Sequence, residues 1–202
     1  MAREIETKCI HLEEKEDSIH HYGAMTYPIY QTATYAHPGV GQSTGYDYSR
    51  LQNPTKEHLE KTVASLENGI NALAFSSGMA AITLMMELFK PGDHLIVDAD
   101  LYGGSIRLFN HVSEKNGIEF SSVACYKENV AGYIRENTKA VYIETPTNPM
   151  MNVTDIKALA EITKEHNLLL IVDNTFLSPY FQNPLDLGAY IVVHSGTKYL
   201  GG

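Results

Sequence analysis

From residue 53 onward the chain alternates between two hydrophobic patterns. Leu59, Val63 and Leu66 recur at helical spacing behind Asn53, a good N-cap, and Pro54, which suits a first helical position. Gly69 is expected to close that helix. An apolar stretch at 72–75, a helical run at 80–89 and the breaker Lys90-Pro91-Gly92-Asp93 come next. A strand is predicted over 94–97 and a helix over 105–116, ending at Gly117. Further strands are expected at 118–124, 139–143, 168–172 and 190–193, with helices near 129–136 and 155–166, the latter capped by Thr154. The segments LLLIV and YIVV are apolar throughout, as in strands buried on both faces of a helix-covered sheet. The predicted fold is α/β, doubly wound and mostly parallel, with some mixed strand direction.

The first 52 residues read differently. Between Gly23 and Tyr48, Pro28, Pro38, Gly39, Gly41 and Gly45 argue against a long helix, while Tyr22, Tyr27, Tyr30, Tyr35, Tyr46 and Tyr48 require something to pack on. An arm laid over another surface, such as a neighbouring subunit, meets both demands. Residues 1–52 are therefore read as an arm and 53–202 as the main domain.

Composition narrows the function classes. At 44% hydrophobic and 19% charged, the 202 residues exclude collagen, low complexity and global disorder. The net charge of −9 makes a nucleic-acid partner a poor expectation. No apolar run reaches membrane-spanning length, and the acid-rich N-terminus carries no targeting signature. Cys9 and Cys125 form neither a disulfide framework nor a zinc ribbon, as expected of a cytoplasmic protein. His11, His20 and His21 lack any ligand pattern, so no metal is expected.

Ligands of open α/β sheets bind beyond the carboxyl ends of the strands. Four features fall near such positions: Ser76-Ser77-Gly78-Met79 entering a helix, Tyr102-Gly103-Gly104-Ser105, Asp173-Asn174-Thr175 and His194-Ser195-Gly196-Thr197-Lys198. Singly, each has a plain reading: a tight turn, a capping carboxylate, a surface lysine. Together they fit one ligand, an aromatic aldehyde phosphate. Its phosphate would sit on the Ser77–Gly78–Met79 turn, helped by the Ser195 and Thr197 hydroxyls. Lys198 would form a Schiff base with the aldehyde, and Asp173 would keep a pyridine nitrogen protonated. Tyr102 could stack on the ring.

The segments YPIYQTATY, YDYSRLQNPT, SSGMAA, DLYGGSIRLF, ETPTNP, VDNTF and HSGTKYLGG, in that order, resemble the Cys/Met-metabolism family of pyridoxal-phosphate enzymes. That family includes the cystathionine γ-synthases, cystathionine lyases, methionine γ-lyases and O-acylhomoserine sulfhydrylases. The resemblance runs from about residue 20 to the end. It implies the large domain of a fold-type I pyridoxal-phosphate-dependent transferase and a homo-oligomer, usually a tetramer, with active sites shared between subunits.

Residue by residue, the resemblance makes Lys198 the Schiff-base lysine, Asp173 the partner of the pyridine nitrogen and Tyr102 the stacking ring. Gly78, Met79, Ser195 and Thr197 become phosphate ligands. Tyr48 and Arg50 become the pair given to a neighbouring subunit's cofactor phosphate, Asn148 the asparagine beside the substrate carboxylate, and Thr175 a residue against the ring. Gly104 stands where methionine γ-lyases carry a reactive cysteine, which argues against that member. The chain ends four residues after Lys198, so it is expected to be the N-terminal part of such an enzyme, without a C-terminal domain. The expected reaction is elimination of the cystathionine γ-lyase kind on an amino-acid substrate. The alternatives are γ-replacement, or a fragment that only binds the cofactor or a complementary chain.

Overall fold

The computed structural model describes residues 4–11, 24 and 26–201. Tyr22, His20 and His21, invoked above, lie outside them. The chain divides into two compact units, Met1–Ala74 and Phe75–Gly202.

In the first unit, a single turn α1 (Ile5–Lys8) and the helix α2 (Pro54–Leu66) flank irregular backbone. Asn53 caps α2 as expected. Its side chain accepts from the Thr55 N–H at 2.9 Å while its amide donates to the Tyr30 carbonyl at 3.1 Å, tying the arm to the helix start. Tyr27 stacks on His58 of α2, with ring centroids 3.9 Å apart, so one arm tyrosine packs within this unit. The helix ends at Leu66, and its left-handed terminator stands one residue before the expected glycine. Asn68 takes the left-handed conformation at φ 55°, and the Gly69 N–H bonds the Ala64 carbonyl at 2.8 Å.

The second unit is built on five parallel strands: β1 (His94–Asp98), β2 (Glu119–Val123), β3 (Thr138–Glu144), β4 (Leu169–Asp173) and β5 (Ile191–Val193), in the order β2-β1-β3-β4-β5. All four pairings are parallel, so the expected admixture of strand directions is absent among the described residues. The reason lies in the connections. Helix α3 (Gly78–Met86) leads into β1, and helices α4 (Gly103–Leu108), α5 (Lys127–Tyr133) and α6 (Ile156–Glu165), with a short α7 (Ser178–Phe181), take up the crossovers that parallel pairing needs.

Both faces of the sheet are covered, and successive residues divide between them. Leu95, Val97, Tyr142 and Ile171 pack with Ile82, Met85 and Phe109 on one side. Ile96, Val141, Ile143, Leu170 and Val172 pack with Ile156, Leu159 and Ile162 on the other. This double burial explains the uninterrupted apolar runs in the sequence.

Three local details depart from the sequence expectation. Residues 71–75 have no regular structure, so no strand precedes the Ser77 turn. The helix expected at 105–116 starts earlier, as α4, and widens into a π-helical turn at Phe109–Ser113, with the Glu114 N–H bonding the Phe109 carbonyl at 3.0 Å. That turn carries Phe109, fully buried, which sits 5.1 Å from the Phe120 ring and 5.4 Å from Tyr142. Asp155, not Thr154, caps α6, accepting from Ala158 N–H at 3.0 Å. The Thr154 N–H is committed to Thr145 Oγ1.

Candidate active site

Strands β1 and β3 are neighbours, but β1 connects onward to β2 on one side and β3 to β4 on the other. Where the order reverses in this way, the connections diverge and leave a crevice at the carboxyl ends of the strands. A cleft of about 230 Å³ opens there, lined wholly by the second unit. That is smaller than the roughly 300–1,000 Å³ of a drug-sized site and suits a single substituted ring.

Ser77, Gly78, Met79, Tyr102, Asn148, Asp173, Thr175, Ser195, Thr197 and Lys198 all line this cleft, so the structure brings ten of the twelve expected residues together. Tyr48 and Arg50 belong to the first unit, where the Arg50 guanidinium donates to Tyr48 Oη at 2.9 Å and lies 4.9 Å from its ring centre.

Two groups of polar atoms face the cleft. The first surrounds the start of α3. Ser77 caps that helix, accepting from the Ala80 N–H at 3.1 Å, and the N–H groups of Gly78 and Met79 in the first turn have no intrahelical partner. The absence of a side chain at Gly78 matters here, because a Cβ would stand 2.9 Å from Ser195 Cβ and 3.1 Å from its Cα. Ser195 Oγ lies 3.4 Å from Thr197 Oγ1 and accepts from Lys198 Nζ at 3.1 Å. Backbone donors, hydroxyls and an ammonium therefore converge where the helix dipole favours an anion.

The second group is acidic. Asp173, buried at the end of β4, accepts the Thr175 N–H at 3.0 Å and faces Tyr142 Oη at 3.4 Å. Burial pushes its carboxyl above the ordinary range, partly offset by the Thr175 hydrogen bonds and by His194 beside it. Glu144 stands opposite Asp173 in the β3–β4 register, equally buried, and accepts the Tyr102 N–H at 2.7 Å. Burial first, then the charges of Asp173, Asp100 and Asp98, lift it to about 7 against the pull of that Tyr102 N–H. Thr175 joins the two groups, its Oγ1 accepting the Ser195 N–H at 2.8 Å while its own N–H reaches Asp173.

Tyr102 is 42% exposed, and Lys198 Nζ lies 5.9 Å from its ring centre. The ring keeps its place because Gly104 has no side chain: a Cβ there would come within 2.4 Å of Tyr102 Cε1. Glu144 was not singled out from the sequence. Its only signal is its place as the first residue of ETPTNP, and its partnership with Asp173 exists only through strand order.

An anion cradle and a buried carboxylate pair within one cleft, with one lysine amine among the lining residues, are the donor set that a phosphorylated pyridine aldehyde requires. The residues fit that group.

Comparison with known proteins agrees. The family described as Cys/Met metabolism PLP-dependent enzyme matches residues 6–202. The chain is 51% identical, over its whole length and 54% of the relative's, to a cystathionine gamma-synthase/O-acetylhomoserine (thiol)-lyase of Bacillus subtilis (strain 168). It is 55% identical, over 89% of its length and 48% of the relative's, to a cystathionine gamma-lyase of the same organism. The crystal structure of metB from Corynebacterium glutamicum superposes with a TM-score of 0.93 at 44% identity, covering 99% of this chain and 52% of that one. The chain thus spans about half the length of the curated relatives it matches.

Proposed function

The chain belongs to the Cys/Met metabolism PLP-dependent enzyme family, and from that premise we propose that it carries the cofactor site of a carbon–sulfur lyase of the cystathionine γ-lyase kind, acting on a sulfur amino acid. The observation that carries this reading is the placing of Lys198 Nζ and the Asp173 carboxylate in one cleft. Pyridoxal phosphate, when bound, supplies an aldehyde that condenses with a primary amine and a ring that, protonated on nitrogen, accepts an electron pair from the substrate's α-carbon.

The chain's own residues do the rest. Gly78 and Met79 N–H, with the Ser77, Ser195 and Thr197 hydroxyls, hold the phosphate. Asp173 holds a proton on the ring nitrogen, and its burial strengthens that ion pair. Thr175 and Tyr102 pack against the ring, and Asn148 faces the substrate carboxylate. Lys198 Nζ is the group placed to take a proton from the substrate's α-carbon and return it to a neighbouring carbon. Tyr102 is a candidate second proton carrier near the leaving group.

Residues 1–52 are read as an arm that gives Tyr48 and Arg50 to a second copy's cofactor phosphate in a homo-oligomer, with 53–202 as the cofactor-binding domain. Cys9 and Cys125 are both free, which supports a cytoplasmic setting; among the described residues no helix is long and apolar enough to cross a membrane. A second reading, γ-replacement, is favoured by the match over the whole of this chain to a relative named as a synthase and thiol-lyase.

The test is a visible absorbance titration of the purified chain with pyridoxal phosphate, then borohydride reduction and peptide mapping. A new band with the reduced adduct on Lys198, lost in Lys198→Ala, is expected. Label scattered over several lysines would sink the assignment. Thiol release from cystathionine then marks the lyase, and thiol consumption with an O-acylhomoserine marks the replacement enzyme.

A further inference from the structure

The crevice at the β1–β3 reversal needs something to set its width, because the connections that flank it leave the sheet toward opposite sides. Two carboxylates from those connections hold the two walls together. Glu144, from the β3 side, accepts the backbone N–H of Tyr102 on the β1 side at 2.7 Å. Asp100, from the β1 side, reaches back: its Oδ2 accepts Thr147 Oγ1 at 2.5 Å and the Met150 N–H at 3.0 Å. Each wall thus supplies a carboxyl group that holds the other, and the two residues bound by Asp100 bracket Asn148.

Beyond the clamp, the loop is held by bonds within itself and, at its start, by Gln182, whose Nε2 donates to the Thr145 carbonyl at 3.3 Å. Thr147 exchanges backbone bonds with Asn152 and Met151, and the Asn152 N–H donates to Thr147 Oγ1 at 2.9 Å. Asp100 in turn is oriented by its own N–H, which donates to Asp98 Oδ1 at 3.1 Å. Asp100 does not line the cleft, whereas Asn148 and Tyr102 do.

We propose that Asp100 is a positioning residue for the amino-acid substrate, fixing Asn148 against Tyr102 by clamping the loop after β3 to the loop after β1. This rests on the reading of the cleft given above. Of the cofactor's contacts only Tyr102 lies on a clamped wall, where Glu144 still holds its N–H, while those at Gly78, Ser195, Thr197 and Asp173 lie outside. Loss of the clamp therefore weakens substrate binding and leaves cofactor binding nearly unchanged.

The first arm of the test needs no cofactor. Amide hydrogen exchange is measured on the purified chain for peptides covering 145–152, with 139–143 as internal reference. Asp100→Ala should speed exchange at Met150 and Asn152 by about ten-fold or more, the loss of charge-assisted bonds, while the reference peptide is unmoved. Asp100→Asn retains an oxygen acceptor and should recover most of the protection. Unchanged exchange in Asp100→Ala overturns the clamp.

The second arm loads the chain with pyridoxal phosphate and follows the visible band as L-cystathionine is added. Asp100→Ala should raise the apparent Kd for the amino acid about ten-fold and that for the cofactor less than about two-fold, with Asp100→Asn between Asp100→Ala and the parent. Faster exchange with an unchanged amino-acid Kd overturns the positioning role alone. A parent chain that gives no band overturns the reading of the cleft, and the substrate role with it, while the exchange arm still decides whether the clamp exists.

Discussion

Glu144 and Asp173 stand opposite one another in register at the carboxyl ends of β3 and β4, so two buried carboxylates line one cleft. Burial disfavours the ionised form of both, and for Glu144 the Asp173 charge adds to the effect. Without a ligand the pair is an energetic burden. With a protonated ring nitrogen beside Asp173 the same field becomes an attraction. A cleft built this way trades stability for affinity, a trade commonly met at functional sites.

Asp173→Asn should reveal that trade with two opposite signs. The variant removes a desolvated carboxylate while keeping an acceptor for the Thr175 N–H, so the cofactor-free chain should gain about 1 kcal/mol in urea unfolding. Its affinity for pyridoxal phosphate should fall about 10- to 100-fold, the usual effect of losing a charged hydrogen bond. Lower affinity without any gain in stability would mean that the buried charge is already compensated within the protein.

Glu144 gives the pair a pH signature. Its carboxyl is raised from 4.5 to about 7 in the folded chain, so between those values the native state binds more protons than the unfolded one. This contribution to stability is fully present below pH 4.5 and is lost as pH rises through about 7. Glu144→Gln keeps the acceptor for Tyr102 and removes the titration. Its stability advantage over the parent should therefore grow with pH across that window, by on the order of 3 kcal/mol, and level off above it. Urea midpoints of both proteins from pH 4.5 to 8 provide the check, and a flat difference would place the Glu144 proton elsewhere.

The strands were legible because their signals are local, whereas Asp173 and Lys198 were expected in one cleft only from the four features taken together. A strand buried on both faces reads as an apolar run, and Asp173 and Lys198 interrupt or follow such runs as isolated charges. Glu144 was not legible in the same way. It reads as the polar end of β3, and its importance comes from β3 lying beside β4, which no spacing encodes. The π-helical turn at Phe109–Ser113 was likewise hidden, since it answers to the packing of Phe109 between Phe120 and Tyr142 rather than to any local preference. Asn68 and Asp155 displaced Gly69 and Thr154 by one residue each, because Asn tolerates the left-handed region and Asp155, directly before Ile156, has the carboxylate oxygen that reaches the Ala158 N–H.

His94 should show the reverse pH dependence from Glu144. Fully buried at the start of β1, it bonds Thr138 Oγ1 at 2.8 Å and Ser121 Oγ at 2.9 Å through its two ring nitrogens. Burial, and then the Arg135 charge, hold its pKa below 6.5, with Glu119 opposing. The native state thus binds fewer protons than the unfolded state just below pH 6.5, and stability is lost as pH falls. The parent's margin over His94→Gln should shrink from pH 7.5 to 5 at no more than about 1.4 kcal/mol per pH unit. A margin that widens on acidification would mean the folded imidazole is protonated.

Gly78→Ala tests the anion cradle by geometry alone. The added methyl would lie 2.9 Å from Ser195 Cβ and 3.1 Å from Ser195 Cα, and backbone cannot swing aside as a side-chain tip can. Either α3 or the loop carrying Ser195, Thr197 and Lys198 must move. Overpacking of this kind costs about 1–3 kcal/mol, and the same shift separates the α3 N–H groups from the hydroxyls facing them. Stability should fall by that amount, and affinity for pyridoxal phosphate about 100-fold, because several charge-assisted bonds to one phosphate are loosened together. Gly103→Ala is the matched control: the nearest atom to its Cβ is Arg107 Nη1 at 3.6 Å, so alanine at the start of α4 should leave stability equal or raise it by up to about 1 kcal/mol. Equal affinities in the two variants would show that the phosphate is held somewhere other than between α3 and Ser195.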